Sequence, residues 1–143
     1  MKRLLLSVVM LATFNASATD TVVNTGIWSA EYNSGSSFYS TQSAGQEITM
    51  ECFLGEFKFG LFDKPTESEL NSNDSPVVIY IDGIKYKQPK TPVENEALYH
   101  AIEHATYGIQ YVFADGFKSK LYPVEGLGVL FKDSSYQDSN CAE

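Results

Sequence analysis

Basic side chains are scarce in this chain of 143 residues, where ten Lys and Arg stand against 18 Asp and Glu. A surface so poor in cations repels phosphate backbones and anionic lipid, which argues against nucleic-acid and membrane-surface roles. It attracts a basic partner at long range instead. Cysteine is scarcer still: Cys52 and Cys141 are the whole complement, with no Cys-x-x-Cys spacing, so neither a redox pair nor a zinc knuckle is indicated. The apolar run over residues 4–14 is too short to span a bilayer, and polar sequence follows it at once. No Gly-x-Ser-x-Gly elbow, internal repeat, low-complexity tract or interdomain linker occurs, which leaves no nucleophilic-catalysis signature and no sign of a repeat architecture.

What the chain does have begins at its start. Met1-Lys2-Arg3 is a short cationic opening, residues 4–14 form the apolar stretch, and Ala16-Ser17-Ala18 supplies small residues at a cleavage site. This pattern predicts a signal peptide over residues 1–18, export to the periplasm, and a single mature domain over residues 19–143. Loss of Lys2 and Arg3 with the leader leaves eight basic against 18 acidic side chains, a net charge of about −10. In an oxidising compartment an even cysteine count predicts a Cys52–Cys141 disulfide. Closure of so long a loop is worth on the order of 4 kcal/mol in the chain-entropy model and pins the C-terminal tail to an internal strand.

Alternation marks the strands. Residues 24–44 carry Trp28, Tyr32, Phe38 and Tyr39 among Ser, Thr and Gly, which suits two short strands joined at Asn33-Ser34-Gly35-Ser36. Over residues 46–54, Ile48, Met50, Cys52 and Leu54 point one way while Glu47, Thr49 and Glu51 point the other. Gly55 turns the chain, and Phe57, Phe59 and Leu61 alternate against Glu56 and Lys58. Residues 63–75, acidic and rich in Ser and Asn, read as a surface loop. Asp82-Gly83 then forms a hairpin between Val77–Ile81 and Ile84–Lys87, placing Val77, Ile79, Ile81, Ile84 and Tyr86 on one face.

Thr91-Pro92-Val93-Glu94 is a capping box with Pro at the first helical position. It predicts a helix over about residues 92–106, with an apolar stripe of Leu98, Ala101, Ile102 and Ala105 and a stop at Gly108. A last hairpin with the three-residue loop 115–117 groups Tyr111 and Phe113 with Leu121, and residues 124–131 favour a short helix. The expected fold class is α+β: an antiparallel sheet or sandwich with one main helix, a short C-terminal helix and one disulfide.

His100-Ala101-Ile102-Glu103-His104 matches the H-x-x-E-H pattern of inverted zinc peptidases. Such an enzyme needs a third ligand on a distant helix, for which this chain has no room, so a zinc-dependent hydrolase is the least favoured reading. The alternative for Glu96, His100 and His104 is a solvated face with i, i+4 contacts. The run Asn71-Ser72-Asn73-Asp74 lacks the spaced acids, Gly and closing Glu of an EF-hand. No catalytic set, metal or cofactor is therefore assigned.

The remaining signal is aromatic and acidic together. Nine Tyr and, beyond Phe14, eight Phe crowd one small domain, so several are expected at the surface, where aromatics anchor interfaces and acids steer basic partners. The binding candidates on this basis are Tyr32, Phe38 and Tyr39 with the acidic rim Glu56, Asp63, Glu67, Glu69 and Asp74.

The layout formed by Ala16-Ser17-Ala18, Ile48-Thr49-Met50-Glu51-Cys52, the Asp82-Gly83 hairpin, and Tyr122-Pro123-Val124-Glu125-Gly126-Leu127 running on to Cys141 resembles the bacterial inhibitors of cell-wall hydrolases. Within them it most resembles the periplasmic immunity proteins that neutralise a type VI secretion peptidoglycan-degrading effector. The resemblance implies a non-enzymatic inhibitor whose acidic, aromatic loop occludes the substrate cleft of a basic periplasmic hydrolase. An accessory subunit of a secretion or envelope assembly is the alternative, and a homodimer stays open.

Overall fold

The computed structural model describes residues 21–132 and 135–142. The expected signal peptide lies outside these residues. The chain runs through β1 (Thr21–Thr25), β2 (Trp28–Asn33), β3 (Ser36–Ser43), β4 (Gln46–Phe53), β5 (Glu56–Asp63) and β6 (Ser68–Asn71), which form one antiparallel meander in sequence order. A second sheet, ordered β10-β9-β7-β8, contains β7 (Val77–Ile81), β8 (Ile84–Lys87), β9 (Gly108–Phe113) and β10 (Tyr122–Pro123). Helix α1 (Pro92–Glu103) lies between β8 and β9 in the chain, and α2 (Leu127–Lys132) and a 3-10 turn (Tyr136–Asp138) follow β10. The class is α+β, as the alternation and the capping box predict.

Among the described residues, only one side of the large sheet is covered. Its inward residues, Trp28, Ala30, Tyr39, Ile48, Met50, Cys52, Phe57, Phe59 and Leu61, join those of the small sheet and both helices in one continuous core. Phe59 meets Tyr111 of the small sheet edge to face with ring centroids 5.4 Å apart, while Tyr39 stacks on Phe131 of α2 at 4.5 Å. The large sheet therefore packs on a mixed layer of small sheet and helices, so the arrangement is two-layered.

The aromatic core is satisfied by backbone carbonyls. Trp28 Nε1 donates to Pro123 O at 2.9 Å, Tyr99 Oη to Phe131 O at 2.6 Å, Tyr111 Oη to Thr49 O at 2.9 Å, and Tyr122 Oη to Gln46 O at 2.9 Å. Tyr39, Tyr99, Tyr111, Tyr122 and Tyr136 are all buried. Several aromatics do lie at the surface, as expected, Tyr107, Phe38, Phe53 and Phe62 among them, while the buried hydroxyls of Tyr99, Tyr111 and Tyr122 are accommodated because carbonyls of the opposite layer or a helix end accept them.

The Cys52–Cys141 disulfide is formed, with Cα atoms 4.7 Å apart and a sequence separation of 89. Around it, buried Asn95 of α1 donates to Gly55 O at 3.1 Å and to Cys141 O, and Asn140 Nδ2 reaches Ser37 Oγ at 2.9 Å. The tail is thus held by side-chain hydrogen bonds as well as by sulfur.

Several local expectations change. Residues 24–44 belong to three strands, because Gly26 turns the chain at φ +61° and lets β1 pair with β2. Leu54 leaves the buried face: it occupies the β4–β5 turn at φ +48° and is exposed. The supposed loop 63–75 contains β6, whose Leu70 pairs with Leu61. Helix α1 ends at Glu103, and Gly108 opens β9 instead of stopping the helix. The cause is Asp82, whose carboxylate accepts the amides of Thr106, Tyr107 and Gly108 at 2.7–3.0 Å and draws the chain into β9. Ile84 shares the Ile81 side of the hairpin by register but is exposed, because β8 is a sheet edge.

In the last hairpin, Val112 pairs with Lys118 but Ile109 pairs with Tyr122, an offset of one residue. Ser119 sits at this bulge, its Oγ accepting the Tyr111 amide at 2.8 Å. The offset turns Tyr122 into the core and leaves Leu121 exposed.

Candidate functional site

The uncovered face of the large sheet is assembled from the residues that alternate with the core. Cross-strand partners share a face, so the pairing register defines continuous rows running across the strands. Asn24, Ser29, Ser40, Thr49, Gly60 and Asn71 pair in succession from β1 to β6. This row is small and polar throughout, and Gly60 is its lowest point. On one side of it runs the row Glu31, Phe38, Glu51 and Lys58, and on the other runs Gln42, Glu47, Phe62 and Glu69. The result is a shallow trench across the sheet with a phenylalanine and carboxylates on each bank.

Surface depressions follow the trench. Two of them, of about 130 and 360 Å³, share Phe38, Thr49, Gly60 and Asn71. A third of about 220 Å³ lies towards the other end, with Asn24, Ser29, Ser40 and Glu47 in its lining. Phe38 and Phe62 are 36% and 42% exposed, so two large rings stand in water without contributing fully to the core. Phe53 on the same face is 39% exposed and carries Lys58 Nζ over its ring at 5.4 Å.

Charge is one-sided here. Glu31, Glu47, Glu51, Glu56 and Glu69 occupy the face with Lys58 as the lone cation among its described residues. Ser36 Oγ donates to Glu51 at 3.0 Å. The turn after β6 is rigid at the trench end: Asn71 Oδ1 accepts the amides of Asn73 and Asp74 at 3.0 Å, and its Nδ2 donates to Asp74 at 2.6 Å.

Of the eight residues proposed from sequence, this face gathers Phe38, Glu56 and Glu69, with Asp74 in the turn beside it. Tyr39 points the other way and is 3% exposed, with its hydroxyl held protonated far above the ordinary range by burial. Tyr32 is partly buried on the same inner side, donating to Leu130 O at 3.2 Å. Asp63 is buried; the Thr66 hydroxyl at 2.6 Å and the Gln46 amide at 3.0 Å hold its carboxyl below the usual range. It anchors a turn. Glu67 takes φ +52° in that turn, away from the trench rows.

Sequence reasoning missed Phe62, Glu47, Glu51, Thr49 and Gly60 as a set. Their signal was the parity of the best-alternating strands, since each lies one step from a core residue.

No family of known proteins, curated protein or solved structure matches this chain.

Proposed function

We propose that this chain is a periplasmic binding protein and, within that class, an immunity protein that blocks a peptidoglycan-degrading effector by covering its active-site cleft. The observation that carries the reading is the trench with Phe38 and Phe62 on its banks among five carboxylates set against the single Lys58. Half-exposed Phe rings supply anchors that lose water on docking, and an acidic surround speeds and orients the approach of a basic partner. The occupant is an extended basic segment from the rim of the hydrolase cleft, with Lys or Arg against Glu47, Glu51 and Glu69. The docking element is a sheet face, in place of the loop that the sequence suggested.

The test is capture from an envelope extract at low salt with the mature chain as bait. The expected result is a basic protein that degrades peptidoglycan, is inhibited by equimolar bait, and is released by raised salt. A Phe38→Ala/Phe62→Ala bait should lose at least tenfold in affinity, about 1.4 kcal/mol or more, with its unfolding midpoint nearly unchanged. Recovery of glycan or of a non-enzymatic structural subunit, or inhibition that survives the double substitution, overturns the reading.

A further inference from the structure

The last turn of α1 carries a donor set that the trench does not use. His100 and Glu103 lie on that turn and His104 caps it, a spacing that brings the three side chains together on one side of the helix. Their ligand atoms lie within 4.8 Å of one another. His100 Nδ1 is 2.9 Å from Glu103 Oε2, and His104 Nε2 is 3.5 Å from the same oxygen. Two donors on an ion with bonds of about 2.0–2.2 Å stand roughly 3.0–3.5 Å apart in octahedral or tetrahedral geometry. The carboxylate oxygen thus sits close to ligand spacing from both rings, and the 2.9 Å contact is the hydrogen bond whose proton an ion would replace.

Two further observations bear on a metal. His100 and His104 side chains are 49% and 69% exposed, so an ion reaches them without any rearrangement of the core. The other ring nitrogen of His100, Nε2, faces Glu96 Oε1 at 3.7 Å, outside hydrogen-bond reach but near enough for that carboxylate to close on the ring and orient it once Nδ1 holds an ion.

We propose that His100 Nδ1, Glu103 Oε2 and His104 Nε2 form an exchangeable site for a divalent transition-metal ion of borderline softness, such as Zn²⁺, with Glu96 as a positioning residue. Two imidazoles and one carboxylate suit Zn²⁺, Cu²⁺ or Ni²⁺ better than Ca²⁺ or Mg²⁺, which take oxygen ligands. Glu103 acts as a ligand, so it is not the general base that the inverted peptidase pattern assigns to it. Three protein donors leave the remaining positions to water or to a donor from a bound partner. The site is independent of the trench.

Untagged mature chain, stripped with EDTA, is titrated with Zn²⁺ by isothermal calorimetry. One Zn²⁺ per chain is expected, displaced by Cu²⁺ and indifferent to excess Ca²⁺. His100→Ala and His104→Ala should each weaken binding by more than about 100-fold, and Glu96→Gln by about 10–100-fold, the usual range for an outer partner. Helical circular dichroism in EDTA checks that each variant is folded, as expected for exposed positions. Absence of Zn²⁺ binding in the wild type overturns the proposal. So does unchanged binding in the folded histidine variants, or competition by Ca²⁺ at equal concentration.

Discussion

The two faces of the six-stranded sheet are cut from alternate residues of the same strands, yet they treat aromatic side chains in opposite ways. Inside, Trp28, Tyr39, Phe57 and Phe59 are at most 4% exposed, and the Trp28 indole finds a carbonyl across the layers. Outside, the aromatic residues are Phe38, Phe53 and Phe62, at least 36% exposed and set among carboxylates. A hydroxyl or indole N–H gains from burial only where an acceptor waits, and the inner layer provides one. A ring with no polar handle gains nothing from standing in water. On the proposed reading the value of Phe38 and Phe62 comes from what covers them, so the side of the pleat says more about that proposal than the number of aromatics does.

The largest effect that sharpens this contrast is a pair of identical truncations on one strand. Phe59 lies 1% exposed between Phe57, stacked at 5.8 Å, and Tyr111. Phe59→Ala should lose about 3–5 kcal/mol in urea unfolding through cavity formation and lost transfer energy. Phe62→Ala, three residues along β5, should stay within about 0.5 kcal/mol. Equal losses would break the contrast, because they would make the outer rings part of the fold.

The acids divide in the same way, with a smaller expected effect. Burial works against the charge on Asp82, but the amides of Thr106, Tyr107 and Gly108 outweigh it and hold the carboxyl below its usual range. A carboxyl whose pKa is lower folded than unfolded adds stability above its unfolded value, near 3.9, and loses it as pH falls through the folded value. Asp82→Asn tolerates the turn at φ +51° but removes the charge and one acceptor, and should lose about 1–2 kcal/mol at pH 7. That difference should shrink as pH falls below about 4. Glu47→Gln and Glu69→Gln, on the open face, should leave urea unfolding within about 0.5 kcal/mol at either pH. A pH-independent deficit in Asp82→Asn would assign its role to turn shape instead of charge.

Much of this frame was legible in the residues, for physical reasons that also explain what was not. Period-two alternation in β4 and β5, Asp82-Gly83 and the Thr91 cap are local signals, and Thr91 Oγ1 does accept the Glu94 amide at 3.2 Å. β1 has no buried side, with Val22 and Val23 both exposed, and β6 turns a single apolar residue, Leu70, towards the core. They exist because a neighbouring strand offers its edge, and periodicity alone cannot register that. The bulge at Ser119 is likewise a tertiary decision, set by a serine hydroxyl replacing a ladder carbonyl. At the candidate site, the acidic and aromatic character could be read, but its address could not. Asp63 and Tyr39 have the right chemistry and the wrong surroundings, whereas Glu47, Glu51 and Phe62 were placed by strand parity alone.

The smallest effect on stability tests the trench itself. Gly60 lies on its floor, where an added Cβ would come within 2.5 Å of Thr49 Oγ1 and 3.8 Å of Leu70 O. Alanine there gains a few tenths of a kcal/mol from chain entropy, up to about 1, and loses a similar amount by displacing the threonine. Gly60→Ala combined with Thr49→Ala removes the clash, so urea unfolding of the double variant should match wild type within about 0.5 kcal/mol. The Gly60→Ala single variant should raise the floor and weaken capture of the basic partner, since its methyl stands between Phe38 and Phe62. The double variant, with the threonine side chain gone, should recover part of that affinity. If Gly60→Ala binds the captured partner as tightly as wild type, the partner does not enter the trench, and the outer face is touched only along its acidic banks.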